Sequence, residues 1–134
     1  MPGERFFGTN ILIYGFAADE PRSARAEALL ADGGVIGVQV LNEFTSVARR
    51  KLGWQWSEVE AALAVIEELV GQARPLTAAI HAHAVRLARD HELSFYDALI
   101  VAAAAEAGRR LLISEDMQHG RKFNALTIEN PFRG

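Results

Sequence analysis

The 134-residue sequence contains no cysteine, which excludes disulfide bonds and metal sites built on thiolates. It also lacks a long apolar run. The longest are residues 98–105 and, when Gly15 is included, residues 11–18, whereas a membrane-spanning helix needs about 20 such residues. The first residues show no basic segment followed by a cleavable apolar one, so no signal peptide is expected. These absences predict one cytoplasmic domain, residues 1–134, with no membrane contact.

An excess of basic residues is missing too, since 14 Lys and Arg stand against 17 Asp and Glu, for a net charge of −3. This argues against nucleic-acid binding through overall charge. Local basic clusters remain at residues 49–51, 109–110 and 121–122, and an acidic site can still meet phosphates through a bound cation. The simpler interpretation of each cluster is a solvated helix end or turn.

What the sequence does contain is an alternation of short apolar strands with helices of ten or more residues. Such alternation predicts right-handed crossovers and an α/β fold of three layers, α/β/α, with a central parallel sheet. The predicted strands are residues 5–7, 35–38, 73–76, 110–114 and 125–128, the third a weak edge strand. The predicted helices that follow the opening unit are residues 22–31, 39–51, 57–70, 78–91 and 98–107.

The opening unit, residues 5–18, passes from strand to helix within three residues. Thr9 or Asn10 is expected to cap the helix by accepting its first free N–H groups, and further along Ser57 and Glu60 are spaced as a capping box. Parallel sheets place their sites at the carboxyl ends of the strands. The residue at the tip of the first strand is Gly8, which has no side chain to contribute.

Three acids follow predicted strands or begin the apolar helix, and each stands beside residues expected to be buried: Glu43, Asp97 and Asp116. The fold predicts that they converge beside Gly8. Two carboxylates about 4 Å apart repel by on the order of 4 kcal/mol at an effective dielectric near 20, so a cluster indicates a cation. All-oxygen ligation favours Mg²⁺ or Mn²⁺ over zinc.

Each acid also has a simpler interpretation, and composition alone leaves the two open. Glu43 and Asp97 would be favourable charges near a helix N-terminus, and Asp116 an ordinary turn residue. Among the histidines, His119 alone is retained as a candidate for the edge of the site. The other three are expected to lie on different sides of a helix or at its C-terminal end.

Four stretches resemble, in order and spacing, the PIN-domain ribonucleases, specifically the VapC toxins of bacterial toxin–antitoxin pairs. They are FFGTNILIY at residues 6–14, QVLNEF at 39–44, SFYDALIVAAA at 94–104 and LLISEDMQHG at 111–120. The resemblance covers nearly the whole chain. It implies a Mg²⁺- or Mn²⁺-dependent endoribonuclease that hydrolyses RNA, is neutralised by a small cognate antitoxin and forms a homodimer.

Carried over residue by residue, the resemblance makes Glu43, Asp97 and Asp116 the catalytic, metal-binding acids. It gives four supporting positions: the polar neighbours Thr9, Asn10 and Ser114, and Glu115 as an extra acid. The family's first aspartate falls at position 8, where this chain has Gly8. Since glycine cannot bind a cation through a side chain, the chain is predicted to be inactive or impaired.

The alternatives belong to other classes of protein. A non-catalytic PIN-like module would bind antitoxin or RNA without cutting it, and a receiver-like phosphoacceptor domain would share the small α/β fold. Gly8 is explained either as a change that lets a toxic nuclease be produced or as a natural loss of catalysis, and the intact acids favour the first. An arginine from an inhibitor is expected to pair with the acids in place of a metal ion. The connector with Trp54 and Trp56 is either part of a groove that binds the antitoxin or part of the core.

Overall fold

The computed structural model describes residues 4–17 and 21–133, which form four strands and six helices. The strands are β1 Arg5–Phe7, β2 Leu111–Ile113, β3 Lys122–Phe123 and β4 Leu126–Glu129. The helices are α1 Thr9–Phe16, α2 Pro21–Asp32, α3 Val38–Arg50, α4 Trp56–Val70, α5 Ala78–His91 and α6 Phe95–Glu106. None of these helices is both long enough and apolar enough to cross a bilayer.

The sheet has the order β1-β2-β4-β3 and is flanked by the helices, as the predicted three-layer α/β/α class requires. Its centre is parallel, with Phe6 opposite Leu112 and Leu112 opposite Ile128, which confirms the parallel prediction for β1, β2 and β4. The edge strand β3 runs antiparallel to β4 and was not predicted. A two-residue strand is too short to show the alternation that identifies a strand in sequence.

The predicted strands 35–38 and 73–76 are reduced to single bridges, Phe6 with Val35 and Gly37 with Arg74, both parallel. The hydrogen bonds are nonetheless those of a sheet: the Phe7 N–H donates to the Val35 carbonyl at 2.9 Å, and the Arg74 N–H to the Ile36 carbonyl at 2.8 Å. Helix α3 begins directly at Val38, which leaves no length for a longer strand. The segment still extends the sheet beyond β1.

The core lies between the sheet and the helices. Its largest fully buried side chains include Phe6 and Phe7 of β1 and Leu112 and Ile113 of β2. Every residue of α6 from 98 to 104 is buried, which confirms that the most apolar helix of the chain packs on most of its sides. Because four of these residues are alanines, the helix can approach its neighbours closely, and it does so most against α5.

Two of the predicted helix caps are wrong. Helix α1 begins at Thr9 with Gly8 as its N-cap, so neither Thr9 nor Asn10 takes the capping position. Helix α4 begins at Trp56, and its box is formed by Glu58, whose Oε1 accepts the Gln55 N–H at 2.8 Å, two residues before the predicted pair. Gln55 and Glu58 have the same three-residue spacing as Ser57 and Glu60, so spacing alone could not separate them.

The start of α5 matches its prediction. Thr77 Oγ1 accepts the Ile80 N–H at 3.1 Å, so the helix begins at Ala78 as the threonine indicated. Helix α6 begins earlier than predicted, at Phe95, because Ser94 Oγ accepts the Asp97 N–H at 3.2 Å. This cap places Asp97 in the first turn of α6 and fixes the backbone that carries its carboxylate.

Candidate functional site

The first turn of α1 reaches two distant acids with two consecutive side chains. Thr9 Oγ1 donates to Glu43 Oε1 at 2.8 Å, and Asn10 Nδ2 donates to Asp116 Oδ1 at 2.8 Å. The pairs are separated by 34 and 106 residues in the sequence. Glu43 and Asp116 therefore lie near the carboxyl end of β1, because Thr9 and Asn10 follow Gly8 there.

Glu43 lies half-buried in α3, one turn after Gln39. The Gln39 amide is itself buried and donates through Nε2 to Glu43 Oε2 at 3.1 Å. Each carboxylate oxygen thus accepts one hydrogen bond, from Thr9 or from Gln39, while a carboxylate offers about four lone-pair sites. The carboxylate is held in place and keeps acceptor capacity for a cation. Gln39 was not predicted, although its four-residue spacing from Glu43 on a helix is a readable signal.

Asp97 and Asp116 form a like-charged pair. Burial raises the pKa of Asp116 above its ordinary value, the charge of Asp97 raises it further, and Glu115 adds to the rise. The hydrogen bond from Asn10 opposes the shift because it favours the ionised carboxylate. The excess of negative charge around Asp116 is what a cation would relieve.

The raised pKa of Asp116 predicts a pH dependence of stability in metal-free buffer. A carboxyl whose pKa is higher in the folded chain binds more protons there, so its contribution to stability is fully present below its ordinary value of 3.8 and is lost as the pH rises through the folded pKa. Asp116→Asn, which keeps an oxygen for Asn10, is expected to unfold at a higher temperature than the parent near neutral pH in EDTA. Thermal unfolding measures this.

The difference should shrink as the pH falls toward the ordinary pKa, where the parent carboxyl is protonated in both states. A parent that is more stable than Asp116→Asn at neutral pH would contradict the assignment, because it would mean that the ionised carboxylate stabilises the metal-free fold.

Gly8 is buried at the end of β1. Its backbone is extended, with φ −79° and ψ 172°, a conformation that any L-residue adopts, and its N–H donates to the Ile113 carbonyl at 2.8 Å. A Cβ built here would lie 3.2 Å from the Ile113 carbonyl oxygen and 3.4 Å from Ser114 Cβ. The strand must yield by a few tenths of an ångström to admit it. A side chain at position 8 would therefore start beside the residue that follows β2.

Ser114 and Glu115 connect β2 to Asp116. Ser114 is buried, and its N–H donates to the Glu129 carbonyl at 2.9 Å. Both Glu115 oxygens are engaged by other helices: Tyr14 Oη donates to Oε1 at 2.6 Å and Arg22 Nε to Oε2 at 2.7 Å. Glu115 therefore links this loop to helices α1 and α2 through these two hydrogen bonds.

Sequence reasoning missed Tyr14 and Arg22 as partners of Glu115. They lie 101 and 93 residues away from it, and no local pattern joins positions so far apart. The Arg22 guanidinium also lies 5.5 Å from the centre of the Tyr14 ring, so it meets the carboxylate and the aromatic face together.

The histidines have other contacts. His119 Nδ1 accepts the Asn130 N–H at 3.1 Å, which joins the polar turn to the C-terminal segment. The rings of His81 and His91 lie 5.3 Å from Phe95 and 5.1 Å from Phe123 respectively. Over residues 4–17 and 21–133, no three side chains of His, Asp or Glu form a group that could hold a metal ion. The carboxylates of Glu43, Asp97 and Asp116 nonetheless have the oxygen chemistry that Mg²⁺ prefers.

The two tryptophans of the connector have different surroundings. Trp54 is half-buried and packs edge-on against Phe44, with 5.9 Å between ring centres, so it contributes to the core. Trp56 is 57% exposed, with the Arg49 guanidinium 4.4 Å from the centre of its ring.

Several solved structures share this fold. VapC20 of Mycobacterium tuberculosis, a sarcin–ricin loop cleaving toxin, is 23% identical with a TM-score of 0.68, over 81% of this chain and 86% of that one. A toxin–antitoxin complex from Klebsiella pneumoniae is 18% identical with a TM-score of 0.73, over 96% and 98%. VapBC2 of Rickettsia felis, bound to a promoter DNA fragment, is 19% identical with a TM-score of 0.69, over 94% and 97%.

A search of curated proteins gives no match to this sequence. Residues 6–122, however, match the PIN domain, a span that runs from β1 to the start of β3 and includes all three acids as well as Gly8. The chain is therefore a member of the PIN domain family.

Proposed function

We propose that this PIN domain is a VapC-like toxin, an endoribonuclease by descent whose RNA hydrolysis is impaired by Gly8. The observation that carries the proposal is that Thr9 and Asn10, directly after Gly8, hold Glu43 and Asp116 at one turn of α1, where the charge of Asp97 also acts on Asp116. An acidic cluster at the carboxyl edge of a parallel sheet is suited to metal-assisted phosphodiester hydrolysis. The VapC toxins among its structural neighbours support the same function.

In this proposal Glu43, Asp97 and Asp116 would hold Mg²⁺ or Mn²⁺ after moving closer together, since no three acids of the described residues form such a group as they stand. A divalent cation at such a site lowers the pKa of a bound water and stabilises the charge that develops on the phosphate. The chain contributes by orienting its acids: Asn10 fixes Asp116, and Thr9 and Gln39 fix Glu43. Hydrogen bonds of this kind orient the ligands of a metal ion.

The partners in this proposal are RNA, a cognate VapB-like antitoxin and a second copy of the chain in a homodimer, all in the cytoplasm. Complexes of toxin and antitoxin among the structural neighbours support the antitoxin. The chemistry of the site supports it as well, since an inhibitor arginine would satisfy the negative charge around Asp116 in place of a cation.

A non-catalytic PIN-like interaction module is the second candidate, and Gly8 is the observation that favours it. It predicts that restoring an aspartate at position 8 yields no cleavage, whereas the nuclease proposal predicts that cleavage appears. Membership of the PIN family removes the receiver-like alternative.

Cation binding tests the site without relying on catalysis. We expect the chain to bind Mn²⁺ weakly, and we expect Asp97→Asn or Asp116→Asn to lower the affinity at least about tenfold, because each removes a charged oxygen ligand. Glu60→Gln, which removes the charge of an exposed acid on α4, serves as the matched control. Titration calorimetry measures the affinities. Equal Mn²⁺ affinities in the parent and in both asparagine variants would contradict the assignment of Asp97 and Asp116 as ligands.

A further inference from the structure

A groove runs along α3 from the acids to the basic end of that helix. Its first part has a volume of about 550 Å³. It is lined by Gln39, Asn42, Glu43, Ser46, Arg50 and Tyr96. A second depression of about 360 Å³ shares Ser46 and Arg50 and extends the groove to Lys51. The groove therefore connects Glu43 with two cationic side chains.

The groove follows one face of α3. Residues 39, 43, 46 and 50 recur at helical spacing, and the opposite face, with Val40, Phe44 and Ala48, is fully buried. From residue 39 to residue 50 the stripe is about 16 Å long at 1.5 Å per residue. Because the buried face fixes the rotation of α3, the stripe from Glu43 to Arg50 faces the groove.

Arg50 is the first cation along this path. It is exposed, and among the residues that the structure describes no acid forms an ion pair with it. Its neighbour Arg49 has a structural task, since Nη1 donates to the Trp54 carbonyl at 2.7 Å. Arg50 and Lys51 also benefit from the negative end of the α3 dipole, but that benefit requires no groove.

Tyr96 forms the other wall of the groove. It lies in the first turn of α6, immediately before Asp97, and is 63% exposed. Its ring centre lies 6.0 Å from that of Phe95, which supports it from one side. An exposed aromatic ring beside an acidic site and opposite a free arginine has the composition of a platform for an unpaired base.

We propose that this groove binds single-stranded RNA, with an unpaired base stacked on Tyr96 and a backbone phosphate contacting Arg50. The inference rests on the proposed function and adds to it two residues that would bind the RNA, Tyr96 and Arg50. A base stacked on Tyr96 would bring the neighbouring phosphodiester close to Asp97, the next residue of α6. Duplex RNA is a poor occupant, because its bases already stack on one another and present no free face.

Binding is tested by fluorescence anisotropy with a labelled single-stranded RNA of mixed sequence, using the full chain in EDTA so that the RNA stays intact. Tyr96→Ala is expected to weaken binding by roughly 5- to 100-fold, and Tyr96→Phe to retain it, because stacking needs the ring and not the hydroxyl. Arg50→Gln is expected to weaken binding and reduce the slope of log K against log salt by about 0.7. The matched control is Arg86→Gln, an exposed arginine outside the groove.

Unchanged affinity in Tyr96→Ala and Arg50→Gln, equal binding of a duplex of the same sequence, or no binding of the single strand would each overturn the inference. In those cases the groove would be better explained as a protein-binding surface. Failure of the inference is distinguishable from failure of the proposed function. A Gly8→Asp chain that cleaves RNA without help from Tyr96 rejects only the inference, and a Gly8→Asp chain that does not cleave rejects the nuclease.

Discussion

Replacing Gly8 by aspartate is expected to raise Mn²⁺-dependent RNA cleavage by two or more orders of magnitude. The extended backbone at position 8 accepts an L-residue, and the new side chain would start 3.4 Å from Ser114 Cβ, beside the loop that carries Asp116. In the proposed site it would add a carboxylate to those of Glu43, Asp97 and Asp116. Charge stabilisation in such sites is worth about 3–4 kcal/mol per group, or roughly 10² to 10³ in rate. Cleavage of total RNA by both chains, side by side, measures the effect.

The matched control is Gly8→Asn, which has the size and the N-capping oxygen of aspartate without its charge. It meets the same tight contact of 3.2 Å at the Ile113 carbonyl oxygen, so any loss of activity through strain appears in both variants. Only the aspartate should be active, and EDTA should abolish its activity. If the unaltered chain degrades RNA as fast as Gly8→Asp, the role assigned to position 8 is wrong.

Phe44→Ala is expected to lower the free energy of unfolding by about 3–5 kcal/mol. The side chain is fully buried on the core face of α3, and its ring centre lies 6.1 Å from that of Phe16 and 5.9 Å from that of Trp54. Truncation leaves a cavity beneath the helix that carries Glu43. Since whole domains are stable by only about 5–15 kcal/mol, a large part of the fold's stability is at stake. Urea unfolding of the two chains gives the difference.

Trp56→Ala removes an aromatic ring of larger size from the same region and serves as the comparison. Trp56 is 57% exposed and its closest described contact of this type is the Arg49 guanidinium, so its loss should cost about 1 kcal/mol or less. A Phe44→Ala chain that is as stable as Trp56→Ala would show that α3 is not anchored through this ring.

The sequence predicted best the elements that carry their own boundary signals. Thr77 and the apolar stripe after it set α5 to the residue, and the run of small apolar side chains identified α6 as buried. The N-cap of α1 was misplaced because Gly8, which has no capping side chain, takes that position, while Thr9 and Asn10 bond to Glu43 and Asp116 instead. The local sequence predicted that one of these two side chains would cap the helix, but both form tertiary hydrogen bonds instead.

The site shows the same limit. The strand-end rule brought Glu43 and Asp116 to one place because it follows from sheet topology, which the alternation of strands and helices already indicates. The environment of Glu115 could not be predicted from the sequence, because its partners Tyr14 and Arg22 lie about a hundred residues away. Glu115 and Asp116 are adjacent acids of one loop, yet their surroundings differ. Arg22 forms an ion pair with Glu115, whereas Asp116 faces the like charge of Asp97.

The pairing of β1 with β2 also has a consequence for biosynthesis. Arg5 pairs with Leu111, and Asn10 reaches Asp116 across 106 residues, so the first strand has no partner on that side until the last part of the chain is made. At about 5–20 residues per second, a ribosome needs roughly 5 to 20 s to cover that interval. A nascent chain therefore carries Gly8, Thr9 and Asn10 long before the acid loop exists. The site is complete only after the ribosome has almost finished making the chain.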